Sequence, residues 1–127
     1  SWNESTSSPG YYGSSYHFAR PGDTLKRAVW KFTPQESGSY RIDARWTEHT
    51  NRATNAPYTI EHADGEETVR VNQEQNGGAW QELGTYDFQQ GTEYSVTLSN
   101  EADEIVIADA VRIVLVAPET STMWQLY

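Results

Sequence analysis

Residues 40–46 read Tyr40-Arg41-Ile42-Asp43-Ala44-Arg45-Trp46, and this stretch decides the fold. In an extended chain Tyr40, Ile42, Ala44 and Trp46 fall on one side, and Arg41, Asp43 and Arg45 on the other. Such period-two alternation marks a strand with one face on a core and one in water. Shorter runs of the same kind lie at 27–33, 57–62, 67–73, 83–88 and 93–99. The stretch Ile105 to Val116 is apolar on both faces, which predicts a central strand covered on two sides. Turn chemistry separates the runs at Glu36-Ser37-Gly38-Ser39, Asp64-Gly65, Asn76-Gly77-Gly78 and Gln90-Gly91. Asp64-Gly65, flanked by alternating segments, predicts a tight hairpin. No segment of helical length carries a 3.6-residue period. The expectation is all-β: a two-sheet antiparallel jelly-roll-like β-sandwich of about eight or nine strands.

Composition agrees. The 127 residues include eight Tyr and five Trp, too many for a disordered acidic chain. This length suits one domain, residues 1–127, with its core between about residues 10 and 116. The first ten residues and the tail from Pro118 are expected to be loose ends, anchored if at all by Trp2, Trp124 or Tyr127. The opening SWNESTSSPG has no basic region followed by an apolar one, so no leader peptide is expected there. No apolar run approaches the roughly 18 residues of a membrane helix, and no membrane insertion is expected. The formal net charge of -9, with no basic block, repels a phosphate backbone and argues against nucleic acid. With no cysteine, disulfides, thiolate metal sites and a cysteine nucleophile are excluded.

Catalytic patterns are missing from the sequence. It has no G-x-S-x-G elbow, H-E-x-x-H pair, P-loop or dinucleotide fingerprint. Its acidic pairs, Glu66-Glu67 and Asp103-Glu104, stand beside turns, where carboxylates are solvated. His17, His49 and His62 lack metal-ligand spacing; His62 continues the Tyr58, Ile60 face and is expected at the edge of the core. The loop after Trp46, TEHTNRATNAP, is longer than a hairpin needs and carries His49, Asn51, Arg52 and Asn55. A flat indole from Trp46, a guanidinium fork and amides suit a pyranose ring, whose C–H groups stack and whose hydroxyls pair in bidentate fashion. The same Arg52 equally suits a structural lock that binds carbonyls across a long connection. Asn76-Gly77-Gly78 predicts a close approach of backbone to a neighbour. Trp80 after it is open to two readings, a stacking platform or a core plug. Tyr11, Tyr12 and Tyr16 either line a groove or clamp the N-terminal segment. If strands 57–62 and 67–73 flank strand 40–46, Arg45 and Arg70 come together against an anionic group.

A family resemblance rests on Asn51-Arg52-Ala53, Tyr58, His62, Gly65, Gln73, Gly77-Gly78, Trp80, Leu83-Gly84 and the closing Ile107-Ala108-Asp109-Ala110-Val111-Arg112. Over roughly residues 10–116 the chain resembles the golvesin C-terminal, or xanthan lyase carbohydrate-binding-like, domain. The resemblance implies a noncatalytic β-sandwich that attaches a secreted bacterial enzyme to polysaccharide, with a catalytic domain elsewhere in a longer parent chain. An acidic polymer such as xanthan is one expected target. The alternatives are an assembly module of a surface protein and, last, a small polysaccharide-active enzyme. The residues expected to meet glycan are Trp80, Arg52, Asn51, Arg45, His49, Tyr58, Gln73, Tyr11 and Tyr12, on a monomer without a cofactor. The closing ADAVRI is also similar to strands in which an Asp helps to hold calcium. A bond from Asp109 to Arg112 or to backbone is the expectation preferred here.

Overall fold

The computed structural model describes residues 2–22 and 24–118. Every element among them is a strand: β1 (Asn3–Ser5), β2 (Tyr16–Ala19), β3 (Arg27–Phe32), β4 (Gly38–Arg45), β5 (Ala56–His62), β6 (Gly65–Val71), β7 (Gln81–Phe88), β8 (Tyr94–Ser99), β9 (Val106–Ala108) and β10 (Ala110–Pro118). They pair antiparallel in three sheets ordered β1-β2-β9, β10-β4-β7 and β3-β8-β5-β6. The first two sheets share one run of chain, because β9 leads into β10 through Asp109 alone. Opposite them lies the four-stranded sheet. The architecture is an all-β antiparallel sandwich.

Alternation explains the core. Tyr40, Ile42, Ala44 and Trp46 are buried, as are Tyr58 and Ile60 of β5 and Tyr94, Val96 and Leu98 of β8. The layers are joined through Phe88 of β7, whose ring meets Phe32 of β3 at 5.0 Å and Tyr94 of β8 at 4.9 Å. Both contacts are edge-on, the geometry that the charge distribution of aromatic rings favours. His62 sits at the core edge as expected, stacked 4.9 Å from Tyr86. The β5–β6 hairpin forms, with Ala63 and Asp64 as its turn and Gly65 already paired with His62.

Several expectations change. The stretch Ile105 to Val116 is two strands, not one central strand. β9 pairs with β2 and β10 lies at a sheet edge beside β4, so its double-faced apolar pattern arises from the change of sheet. Strand β4 is flanked by β10 and β7, and Arg70 lies on β6 in the opposite layer, where it donates to the Asn55 carbonyl at 3.2 Å. Arg45 and Arg70 are therefore not brought together. The N-terminal residues are not loose: β1 pairs with β2, and Trp2 packs against the core. Trp124 and Tyr127 lie outside the described residues.

The edge of β9 away from β2 is covered by loops. Ala53 donates its N–H to the Ile105 carbonyl at 2.7 Å, and the Gln73 amide closes both polar groups of Ile107. A second junction gathers two loops. Gly77 donates to Glu48 Oε1 at 2.8 Å, Gly78 donates to the Trp46 carbonyl at 2.9 Å, and the Trp46 indole donates to the Gln75 carbonyl at 2.9 Å. A Cβ on Gly77 would stand 2.5 Å from the Glu48 nitrogen, closer than real contacts come. This is the close approach that the Asn-Gly-Gly signal predicted. Gly77→Ala is expected to lower stability by about 1–3 kcal/mol through this overlap. Urea denaturation reads the loss as a lower midpoint at unchanged slope.

Candidate functional site

The same junction places Trp80. The loop pinned on Trp46 and Glu48 releases Trp80 directly before β7, half-buried and outside the hydrophobic core. Tyr12 lies beside it with ring centroids 5.3 Å apart, its own side chain 57% exposed. The Arg112 guanidinium stands 4.5 Å from the Trp80 ring centre. That of Arg45 is 5.9 Å from Trp80 and 5.8 Å from Tyr12. Cations over aromatic faces are attracted by the negative charge of the ring, so the cluster holds its own geometry.

Two carboxylates fix it from below. Asp43 is 2% exposed on the outward side of β4 and takes Arg41 at 2.9 Å and Arg112 at 2.7 Å. Burial pushes its pKa up, but the hydrogen bonds and charges of Arg41 and Arg112 outweigh it and hold the group below the usual carboxylate range. Arg41 and Asp43 of this outward row thus form an ion-pair network with Arg112 from β10, and Arg45 stands outside it. Asp109, at the break between β9 and β10, accepts the Tyr12 backbone N–H at 2.8 Å through Oδ2. Of the two bonds expected for Asp109, to Arg112 or to backbone, this is the backbone one. Burial raises its pKa, opposed by the Tyr12 N–H and the charges of Arg45 and His17. Arg45 completes the frame by donating Nε–H to the Gly10 carbonyl at 3.3 Å. The outcome is a surface of two rings and two guanidiniums, preset by bonds that need no ligand.

The family model for the golvesin C-terminal domain matches residues 1–115. The chain belongs to the golvesin C-terminal domain family. This golvesin C-terminal domain is 35% identical over 122 residues to the xanthan lyase of Bacillus sp. (strain GL1), a match that covers 91% of this chain and 13% of that protein. The chain therefore spans only a small part of the curated relative. Among solved structures, the Paenibacillus xanthan lyase superposes with a TM-score of 0.78 at 38% identity, over 91% of this chain and 11% of that one. The CBM35 from Cellvibrio japonicus Abf62 superposes with a TM-score of 0.64 at 21% identity, over 88% and 82% of the two chains. At that identity the likeness establishes the shared sandwich alone.

The nine residues singled out in the sequence separate in this golvesin C-terminal domain. Trp80, Tyr12 and Arg45 come together. Tyr11, half-buried, packs 6.0 Å from Tyr16 at the core margin. Tyr58 and Gln73 are fully buried, with Gln73 Nε2 donating to the Tyr58 hydroxyl at 3.3 Å, so neither reaches the surface. Their expected contact with glycan is corrected on that ground, and burial pushes the Tyr58 pKa up. Trp46, the expected flat face, is 2% exposed. Arg52 is 5% exposed, and its donors go to the Thr47 carbonyl and hydroxyl at 3.2 Å, Asn51 Oδ1 at 2.6 Å, Ser8 Oγ at 2.9 Å and the Tyr16 hydroxyl at 3.3 Å. The structural-lock reading is the one this geometry follows. Burial opposes ionisation of Tyr16, yet the Ser5, Ser7 and Ser8 hydroxyls and the Arg52 charge bring its pKa down to about 7. His49 and Asn51 are exposed at this lock, Asn51 accepting from Arg52 and its N–H reaching His49 Nδ1 at 3.4 Å.

Arg52→Lys keeps the charge but offers no planar fork. It is expected to cost about 1–3 kcal/mol, the price of unpaired buried acceptors on Thr47 and Tyr16. Thermal denaturation reads this directly, and an unchanged melting temperature would show the lock to be dispensable. Arg112 was missed in the sequence as a site residue because its partner Asp43 lies across a long-range strand pairing.

Proposed function

We propose that this domain is a noncatalytic carbohydrate-binding module that holds a secreted bacterial polysaccharide-degrading enzyme to its polymer. The observation that carries the reading is the Tyr12–Trp80 pair outside the core, held between Arg45 and Arg112. Aromatic faces stack on the C–H side of a pyranose, and guanidiniums pair with hydroxyls or with a carboxylate in fork geometry. The family and the xanthan lyase relatives support the same reading and point to an acidic polymer such as xanthan. The name of the CBM35 structure is consistent with it. Binding in this account uses no cofactor, so a chelator leaves it unchanged.

Affinity electrophoresis of the 127-residue chain through gels containing xanthan, a sulfated polysaccharide or a neutral glucan tests the proposal. Retardation is expected in xanthan, weakening modestly as salt rises, because one or two contacts at a partly covered surface are only partly screened. Retardation by no glycan would overturn it in favour of an assembly module. Cleavage of the polymer by the isolated chain would overturn the noncatalytic reading.

A further inference from the structure

One cavity of about 280 Å³ lies outside the aromatic and guanidinium cluster, lined by Trp2, His17, Trp30, Asp109 and the small side chains Ala28 and Ala108 along with Val29. Its walls come from β2, β3, β9 and the residue before β1. Among the described residues, two buried side-chain polar atoms have no hydrogen-bond partner, and they are Trp2 Nε1 and Asp109 Oδ1. Both belong to residues that line this one cavity. They are complementary: an indole N–H only donates, and a carboxylate oxygen accepts. Buried polar groups are almost always paired, so two orphans of opposite kind on residues that line one cavity call for a common explanation. A hydroxyl, which donates and accepts at once, answers both.

The remaining wall selects the kind of hydroxyl compound. Two indoles and two alanines give an apolar, flat surround, with His17 exposed at the side. That is a lining for one ring bearing hydroxyls rather than for an ion or a purely apolar group. Asp109 also ties the cavity to the surface already described, since its Oδ2 holds the backbone of Tyr12, whose ring meets Trp80. Resting on the carbohydrate-binding reading, we propose that this cavity takes a single terminal or side-branch sugar residue, while the Tyr12–Trp80 surface holds the adjoining part of the glycan. The domain then recognises ends or branches of a polymer and does not simply lie along it.

Trp2→Phe tests this, because it keeps a flat ring and removes the Nε1 donor. The probes are oligosaccharides cut from xanthan, with the methyl glycosides of D-glucose, D-mannose, D-galactose and D-glucuronate as single units. Titration calorimetry is expected to give a roughly tenfold loss of oligosaccharide affinity in Trp2→Phe, one hydrogen bond to a sugar hydroxyl being worth about that factor. In the unsubstituted chain the Trp2 indole N–H resonance is expected to move saturably with the oligosaccharides and with at least one methyl glycoside. Oligosaccharide binding that leaves this resonance in place and is unchanged by Trp2→Phe would overturn the inference while leaving the carbohydrate-binding reading intact. Absence of binding by any polymer or fragment would overturn both.

Discussion

Trp80→Ala is expected to abolish retardation in a xanthan gel while leaving the melting temperature within a few degrees of the parent chain. The two halves of this result have separate causes. Loss of a ring stack costs about 1–3 kcal/mol by analogy with bases stacked on aromatic side chains, or roughly ten- to hundredfold in affinity. The substitution also removes the ring that faces Arg112, which stays bonded to Asp43, and one neighbour of Tyr12, so the loss falls toward the upper end of that range. Stability changes little because Trp80 is half-buried and lies outside the core cluster. A core plug would behave oppositely, losing about 3–5 kcal/mol of stability. A large fall in melting temperature would therefore remove Trp80 from the binding surface.

The largest expected effect on stability is at Gln73. Its side chain accepts from Ile107 N–H at 2.8 Å and donates to the Ile107 carbonyl at 2.9 Å, taking the place of a strand beside β9. Nε2 also reaches the Tyr58 hydroxyl. Gln73→Leu retains bulk and removes every one of these bonds at a site with no exposure to water. Each buried group left without a partner costs about 1–3 kcal/mol, giving a total of about 3–5 kcal/mol after relaxation. For a domain of this size that is a fall of roughly 10–20 °C in melting temperature. A fall of only a degree or two would mean that another group closes the edge of β9 and that Gln73 is replaceable.

What the sequence conveyed follows the range of the interactions. The alternation at Tyr40–Trp46 is local, and the structure has those four side chains buried on one face. The Asn76-Gly77-Gly78 signal was also legible, because only a residue without Cβ fits against Glu48. Asp43 was not legible as a buried anion: Arg41 is two residues away, but Arg112 reaches it through the β4–β10 pairing. The break at Asp109 was hidden because apolar residues on both sides of it read as one strand. Arg52 stayed open between a glycan-facing fork and a structural lock because its acceptors on Ser8 and Tyr16 are 44 and 36 residues distant. The N-terminal strand β1 was missed for a related reason. Asn3-Glu4-Ser5 carries no apolar alternation, and its order comes from pairing with β2.

In the proposed function, glycan lies on the face formed by Tyr12, Trp80, Arg45 and Arg112. This placement is tested most directly by mapping amide and indole resonance changes over the whole chain during titration with xanthan oligosaccharides. Saturable shifts are expected to concentrate at Tyr12, the Trp80 indole, Arg45 and Arg112 and to extend through Asp109, with the exposed His49–Asn51 loop nearly still. Shifts centred instead on the acidic hollow of Glu61, Glu66 and Glu93 at the far hairpin, or on the His49–Asn51 loop, would contradict it.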